Sequence, residues 1–185
     1  MKKYLNIAIL IIVTALGFSQ WGFIYNETDF NLLKAAYLER FTRFVEWPEE
    51  QKINEFNIAV VGDLEFQKSL KSVFKYLHIK NRDAIIKYYP NCTALLNEKN
   101  DELKDIQILY LSDVCSSKLD KIINAAKNSH VLTISQSPGF AKKGVHINMF
   151  LLGTNLKFEI NEKSARESGL KISHLLLQQA KLVYN

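Results

Sequence analysis

The chain has 185 residues, 48% of them hydrophobic and 23% charged, which is the size and mixture of one packed globular domain rather than of a disordered or fibrous chain. Its formal charge is +5 at pH 7, and Lys2 and Lys3 supply two units of it. The remaining charges alternate finely in sign, and no basic stripe interleaved with aromatic rings is present, so nothing in the balance points to nucleic acid.

In chain order, Lys2-Lys3 open the sequence, Leu5 to Leu16 are apolar apart from Asn6 and Thr14, and the small residues Gly17 and Ser19 flank Phe18. This is the order of a secretory signal peptide cut after Ser19, residues 1–19. Its core of about a dozen residues is shorter than the roughly 20 that cross a bilayer. The alternative is a retained N-terminal anchor helix; a lipid anchor lacks its cysteine. Residues 20–27 read as a linker and residues 28–185 as one domain.

The segment from Lys34 to Pro48 is the heaviest aromatic stretch. At helical period Leu33, Ala36, Tyr37, Phe41, Phe44, Val45 and Trp47 gather on one side, with Lys34, Glu39, Arg43 and Glu46 mostly on the other. Thr28 or Asp29 is the expected cap, and Pro48 stops the helix near Trp47. A core helix accounts for the spacing. The sharper reading makes Tyr37, Phe41, Phe44 and Trp47 the wall of a binding pocket or an interface.

Phe56 to Gly62 is a continuous apolar run ending in Gly-Asp, the pattern of a buried strand and its turn. Asp63 then caps a helix over Leu64–Tyr76, with Phe66, Leu70, Val73 and Phe74 inward. As a carboxylate at the carboxyl end of a strand, Asp63 is also the best single candidate for chemistry. Ala84–Tyr89 is a second strand; Cys92–Leu103 has helical composition and weak periodicity. Ile106–Leu111 is a strand, Ser116–Ala126 a helix and Val131–Ile134 a strand. Val145–Leu152 and Leu156–Ile160, joined by Gly153-Thr154-Asn155, form an antiparallel hairpin, with His146 and Asn148 making one face of its first arm polar. A short helix over Ser164–Ser168 follows a capping Asn161 and stops at Gly169. A last helix starts at Lys171 or Ser173, with Leu175, Leu176, Gln179 and Leu182 on one side. The alternation of strands and helices defines an α/β fold: a central mixed sheet of about six strands with helices on both faces, then a C-terminal β-hairpin followed by a helix.

Two cysteines, Cys92 and Cys115, match no zinc spacing. In an oxidising compartment they form a disulfide; otherwise they are two buried thiols. His78, His130, His146 and His174 stand at unrelated spacings. No phosphate loop, metalloprotease helix or nucleophile elbow occurs, so no catalytic, metal-ligating or cofactor-binding constellation is legible.

Ala36-Tyr-Leu-x-x-Phe-x-x-Phe-Val-x-Trp-Pro48 followed by Phe56-Asn-Ile-Ala-Val-Val-Gly-Asp63 resembles the opening of the YfiR family of bacterial periplasmic regulators. The resemblance continues through His130-Val-Leu-Thr-Ile-Ser135, Gly139-Phe-Ala-Lys-Lys-Gly-Val-His-Ile147, Leu156-Lys-Phe-Glu-Ile-Asn161 and Ser168-Gly-Leu-Lys-Ile-Ser173. It implies a non-enzymatic periplasmic regulator that represses an inner-membrane diguanylate cyclase by binding its periplasmic sensor domain, and so lowers cyclic di-GMP. It further implies an outer-membrane lipoprotein as a sequestering partner, and a homodimer is compatible with it. The family often carries disulfides, one usual position lying just before the strand at Ile106–Leu111. Lys104-Asp105 stand there here, so the family's own bridges do not carry over. The reading from the other side is a periplasmic small-molecule binding module whose pocket is lined by the aromatic face.

Overall fold

The computed structural model describes residues 27–97 and 102–184, so the signal peptide and most of the linker expected from the sequence lie outside the described residues. The first element is α1, Glu27–Thr42. It ends before Trp47, contrary to the sequence reading. The chain turns at Arg43-Phe44 and continues as a two-residue strand β1, Val45–Glu46. That strand pairs antiparallel with β8, Lys171–Ile172, and Ser173 donates its N–H to the Phe44 carbonyl at 2.8 Å. Trp47 before Pro48 is biased to extended backbone in any case. The remote strand extends that bias back over two further residues.

Next come β2 (Phe56–Val61), α2 (Leu64–Phe74), β3 (Ala84–Tyr89), α3 (Cys92–Asn97) and β4 (Ile108–Leu111). Then follow α4 (Leu119–Asn128), β5 (Leu132–Ser135), β6 (Ile147–Leu152), β7 (Asn155–Ile160) and α5 (Glu162–Glu167). After β8 the chain makes one turn of helix, α6 (His174–Leu177), and ends in β9 (Lys181–Leu182).

The main sheet is mixed and has seven strands in the order β3-β2-β4-β5-β6-β7-β9. Pairing is parallel from β3 through to β6, antiparallel in the β6–β7 hairpin and parallel again at β9. The parallel centre explains the unbroken apolar runs in the sequence, because β2, β4 and β5 are covered on both faces. On one face Ile58, Val60, Ile108, Tyr110, Leu132 and Ile134 pack under α1 and α2. On the other, Ala59, Val61, Leu109 and Leu111 pack under α3 and α4. A disulfide joins Cys92 of α3 to Cys115, just before α4, with Cα atoms 5.4 Å apart.

The mixed sheet with helices on its faces is as expected, and its seventh strand comes from a segment expected to continue the terminal helix to Leu182. Ser173 does cap α6, accepting from the Leu175 N–H at 3.3 Å. The helix nonetheless stops within a turn, because Lys181 and Leu182 pair with Glu159 and Ile160, and Val183 N–H donates to the Ile160 carbonyl at 2.9 Å. The hairpin is found as expected, but its polar face is not wet: His146 and Asn148 are 1% and 2% exposed.

Candidate functional site

The inner face of α1 is rotated from the one read in the sequence. Ala35 and Leu38 are fully buried and Ala36 is exposed, while Lys34 and Glu39, assigned to the solvent side, are buried as well. Phe41 is buried under Phe158 of β7, ring centroids 4.9 Å apart at 63°, and Tyr37 meets both rings edge-on at 6.0 and 6.4 Å. Such edge-to-face pairs align the positive rim of one ring with the negative face of the next. The three rings floor a hollow of about 300 Å³ walled by Phe44, Arg40, Leu175, Leu176 and Gln179. Three of the four aromatic residues singled out in the sequence, Tyr37, Phe41 and Phe44, thus meet in one place. Leu175 on its rim is 64% exposed.

Trp47 is elsewhere. Its ring is 5% exposed and sits edge-on to Phe56 at 5.3 Å. The indole N–H donates to the Gln107 carbonyl at 3.3 Å, and the Lys80 ammonium lies 5.2 Å from the ring centroid. Trp47 borders a separate, polar cleft of about 500 Å³ at the amino ends of β2 and β4, shared with Pro48, Glu49 and His130. Two residues facing this cleft hold left-handed backbone, Glu49 at φ 52° and His130 at φ 56°. Gly169 is required beside them, since at φ 77° a Cβ there would lie 2.8 Å from Nδ1 of His130.

Asp63 does what its position promised and more. Its Oδ1 accepts the Phe66 N–H at 2.9 Å and caps α2. Its Oδ2 lies 3.5 Å from the Lys34 ammonium and accepts from the Tyr110 hydroxyl at 3.4 Å. Lys34 also donates to Gln136 Oε1 at 2.8 Å. Burial pushes the Lys34 pKa below the ordinary lysine range, with Asp63 pulling it partly back, while burial, aided by Asp63, raises that of Tyr110. The sequence reading missed Lys34. The available signal was its place four residues before Leu38 and seven before Phe41, on the stripe those residues bury.

The four histidines do not assemble, and no group of three metal-ligating side chains occurs among the described residues. His146 is enclosed and desolvation lowers its pKa to about 3.

The strand order defines a doubly wound α/β domain. β2 stands between the strand that follows it and the strand after that, so successive connections leave in opposite directions. No curated protein is significantly similar to the chain. Among solved structures it is similar to a conserved domain protein of Vibrio cholerae O1 biovar El Tor, at 9% identity and TM-score 0.58. It is similar to the ABC domain of a Streptococcus pneumoniae protein in complex with L-Trp, at 10% identity and TM-score 0.58. Each likeness covers 83% of this chain and 60% of the other, and at such identities it concerns the fold alone. The family model described as YfiR/HmsC-like matches residues 31–181, and the chain belongs to that family. Its members are periplasmic regulators, generally non-enzymatic, that interact with the periplasmic domain of a partner. No helix among the described residues is long and apolar enough to cross a membrane.

Proposed function

We propose that the protein is a non-enzymatic periplasmic repressor that binds the periplasmic sensor domain of an inner-membrane signalling protein of the diguanylate cyclase type. The family match over residues 31–181 carries this reading. Repression then needs no turnover: a partner that binds one state of the receptor better shifts its population by the difference in affinity. The hollow over Tyr37, Phe41 and Phe44 is the proposed contact, because apolar side chains around an exposed Leu175 and rimmed by Arg40 and Gln179 have the make-up of a docking patch. Deletion of the gene is expected to raise cyclic di-GMP, and affinity capture from solubilised membranes to recover an inner-membrane protein with a periplasmic domain. An unchanged nucleotide level with no membrane protein captured refutes the proposal.

The aromatic lining favours one other reading, a small-molecule sensor. At about 300 Å³ the hollow has the volume of a small ligand site, and Arg40 would receive a carboxylate there. Retention of an aromatic acid through purification, with no membrane partner captured, is the outcome that selects it.

A further inference from the structure

In a doubly wound sheet, ligands bind outside the carboxyl ends of the strands, at the point where the connections diverge. Here that point lies between β2 and β4. Asp63 stands just beyond β2, Tyr110 near the end of β4 and Gln136 just beyond β5. The place is filled by a side chain of the protein itself. Lys34 reaches in from α1, an element that precedes the doubly wound unit and is none of its crossovers, and is 1% exposed.

The surroundings of its ammonium have the composition of a cation receptor. Three rings enclose it, Phe66 at 4.5 Å, Phe30 at 5.2 Å and Tyr110 at 5.5 Å to the centroids, and aromatic faces attract a cation through their quadrupoles. Gln136 Oε1 at 2.8 Å and Asp63 Oδ2 at 3.5 Å supply acceptors. The buried Ser112 hydroxyl, packed against Gly62 at the same end of the sheet, has no hydrogen-bond partner among the described residues.

The helix that brings the lysine is held in an uncommon way. The residues α1 buries are Asn31, Lys34, Glu39 and Thr42 as well as Ala35, Leu38 and Phe41. Burying an ammonium forfeits hydration that its partners return only in part. A helix serving only to cover the core gains nothing from that exchange, whereas a helix that must lift off loses less by leaving.

We propose that the carboxyl-end cluster of Asp63, Tyr110, Phe66 and Gln136 is a binding site for a primary ammonium group, filled in cis by Lys34, so that α1 is a plug which an outside primary amine displaces. The proposal is independent of which partner the repressor binds.

Lys34→Ala removes three methylenes and the ammonium, the composition of n-propylammonium. In that variant n-propylammonium is expected to raise the melting temperature saturably, and n-propanol at equal concentration to leave it unchanged. Adding Asp63→Asn, which still caps α2, is expected to abolish the shift. In the wild-type protein the same amine competes with Lys34. Amide exchange over residues 35–42 of α1 is expected to accelerate about tenfold when the amine stands at ten times its dissociation constant for the opened site, with β4 amides unchanged. No shift in Lys34→Ala, or an equal shift with n-propanol, overturns the ammonium site. Unaltered α1 exchange in the wild type overturns the plug, and decides the matter alone should Lys34→Ala not fold.

Discussion

Thr133 donates its backbone N–H to Nδ1 of His146 at 3.1 Å, which leaves the ring proton on Nε2, donated to Ser168 Oγ at 3.1 Å. Protonating Nδ1 would set two donors against each other in a buried site. The folded ring therefore resists a proton until about pH 3, against an ordinary value of 6.5. Below pH 6.5 the unfolded chain binds a proton that the folded chain refuses, so stability is full above that value and falls as pH drops. The slope approaches about 1.4 kcal/mol per pH unit, or about 2 kcal/mol between pH 7 and 5. Urea midpoints of the wild type and of His146→Asn over this range are expected to show that extra loss in the wild type alone. Trp47 is buried against Phe56 with its N–H bonded, so Trp47→Ala is expected to cost about 3–5 kcal/mol. A fall in melting temperature large enough to deplete the folded protein checks this. A variant that melts like the wild type and fails only in partner binding contradicts it.

The elements readable in advance were those whose pattern is decided locally or by simple burial. β2, β4 and β5 announce themselves as unbroken apolar runs because both faces of a parallel sheet are covered, and the β6–β7 hairpin announces itself through Gly153-Thr154-Asn155 between two apolar arms. What could not be read depends on pairings far apart in sequence. β1 exists because Val45 meets Ile172, and β9 because Leu182 meets Ile160; neither pair of residues carries a mark of its partner. The candidate site divides the same way. Tyr37, Phe41 and Phe44 were legible as an aromatic face, but the helix ends at Thr42 and Trp47 departs with β1 to another cleft. Lys34 escaped notice because a lysine is ordinarily a surface residue, and its burial depends on Asp63 arriving from the end of β2. The disulfide likewise needed the fold: α3 and the turn before α4 bring Cys92 and Cys115 together at the carboxyl end of the sheet. Closing a loop of this length stabilises by about 3 kcal/mol in the chain-entropy model. Cys92→Ala with Cys115→Ala is expected to lower the urea midpoint accordingly. Thiol alkylation of the wild type is expected only after denaturation with a reductant, since both sulfurs are buried.

Two features share α1. Its middle third carries Lys34 into the carboxyl end of the sheet, and its last turns carry Tyr37 and Phe41 against Phe158 to floor the hollow. A helix fastened through its middle by polar contacts, with the proposed docking patch on its last turns, is able to couple release with recognition. A binding test must separate damage to that patch from damage to the fold. Leu175 does so, because it is 64% exposed on the rim of the hollow and contributes little to the core. Exposed substitutions of this kind usually change stability by no more than about 0.5 kcal/mol. Replacing Leu175 by a carboxylate, by contrast, removes its apolar contact and adds a charge that must be desolvated on docking, at a cost typical of interface anchors. Leu175→Asp is therefore expected to melt like the wild type, to lose at least about tenfold in affinity for the captured membrane partner, equivalent to about 1.4 kcal/mol, and to reproduce the raised cyclic di-GMP of the deletion. Undiminished capture by Leu175→Asp removes the hollow from the interface and leaves the family reading to be placed on another face of the sheet.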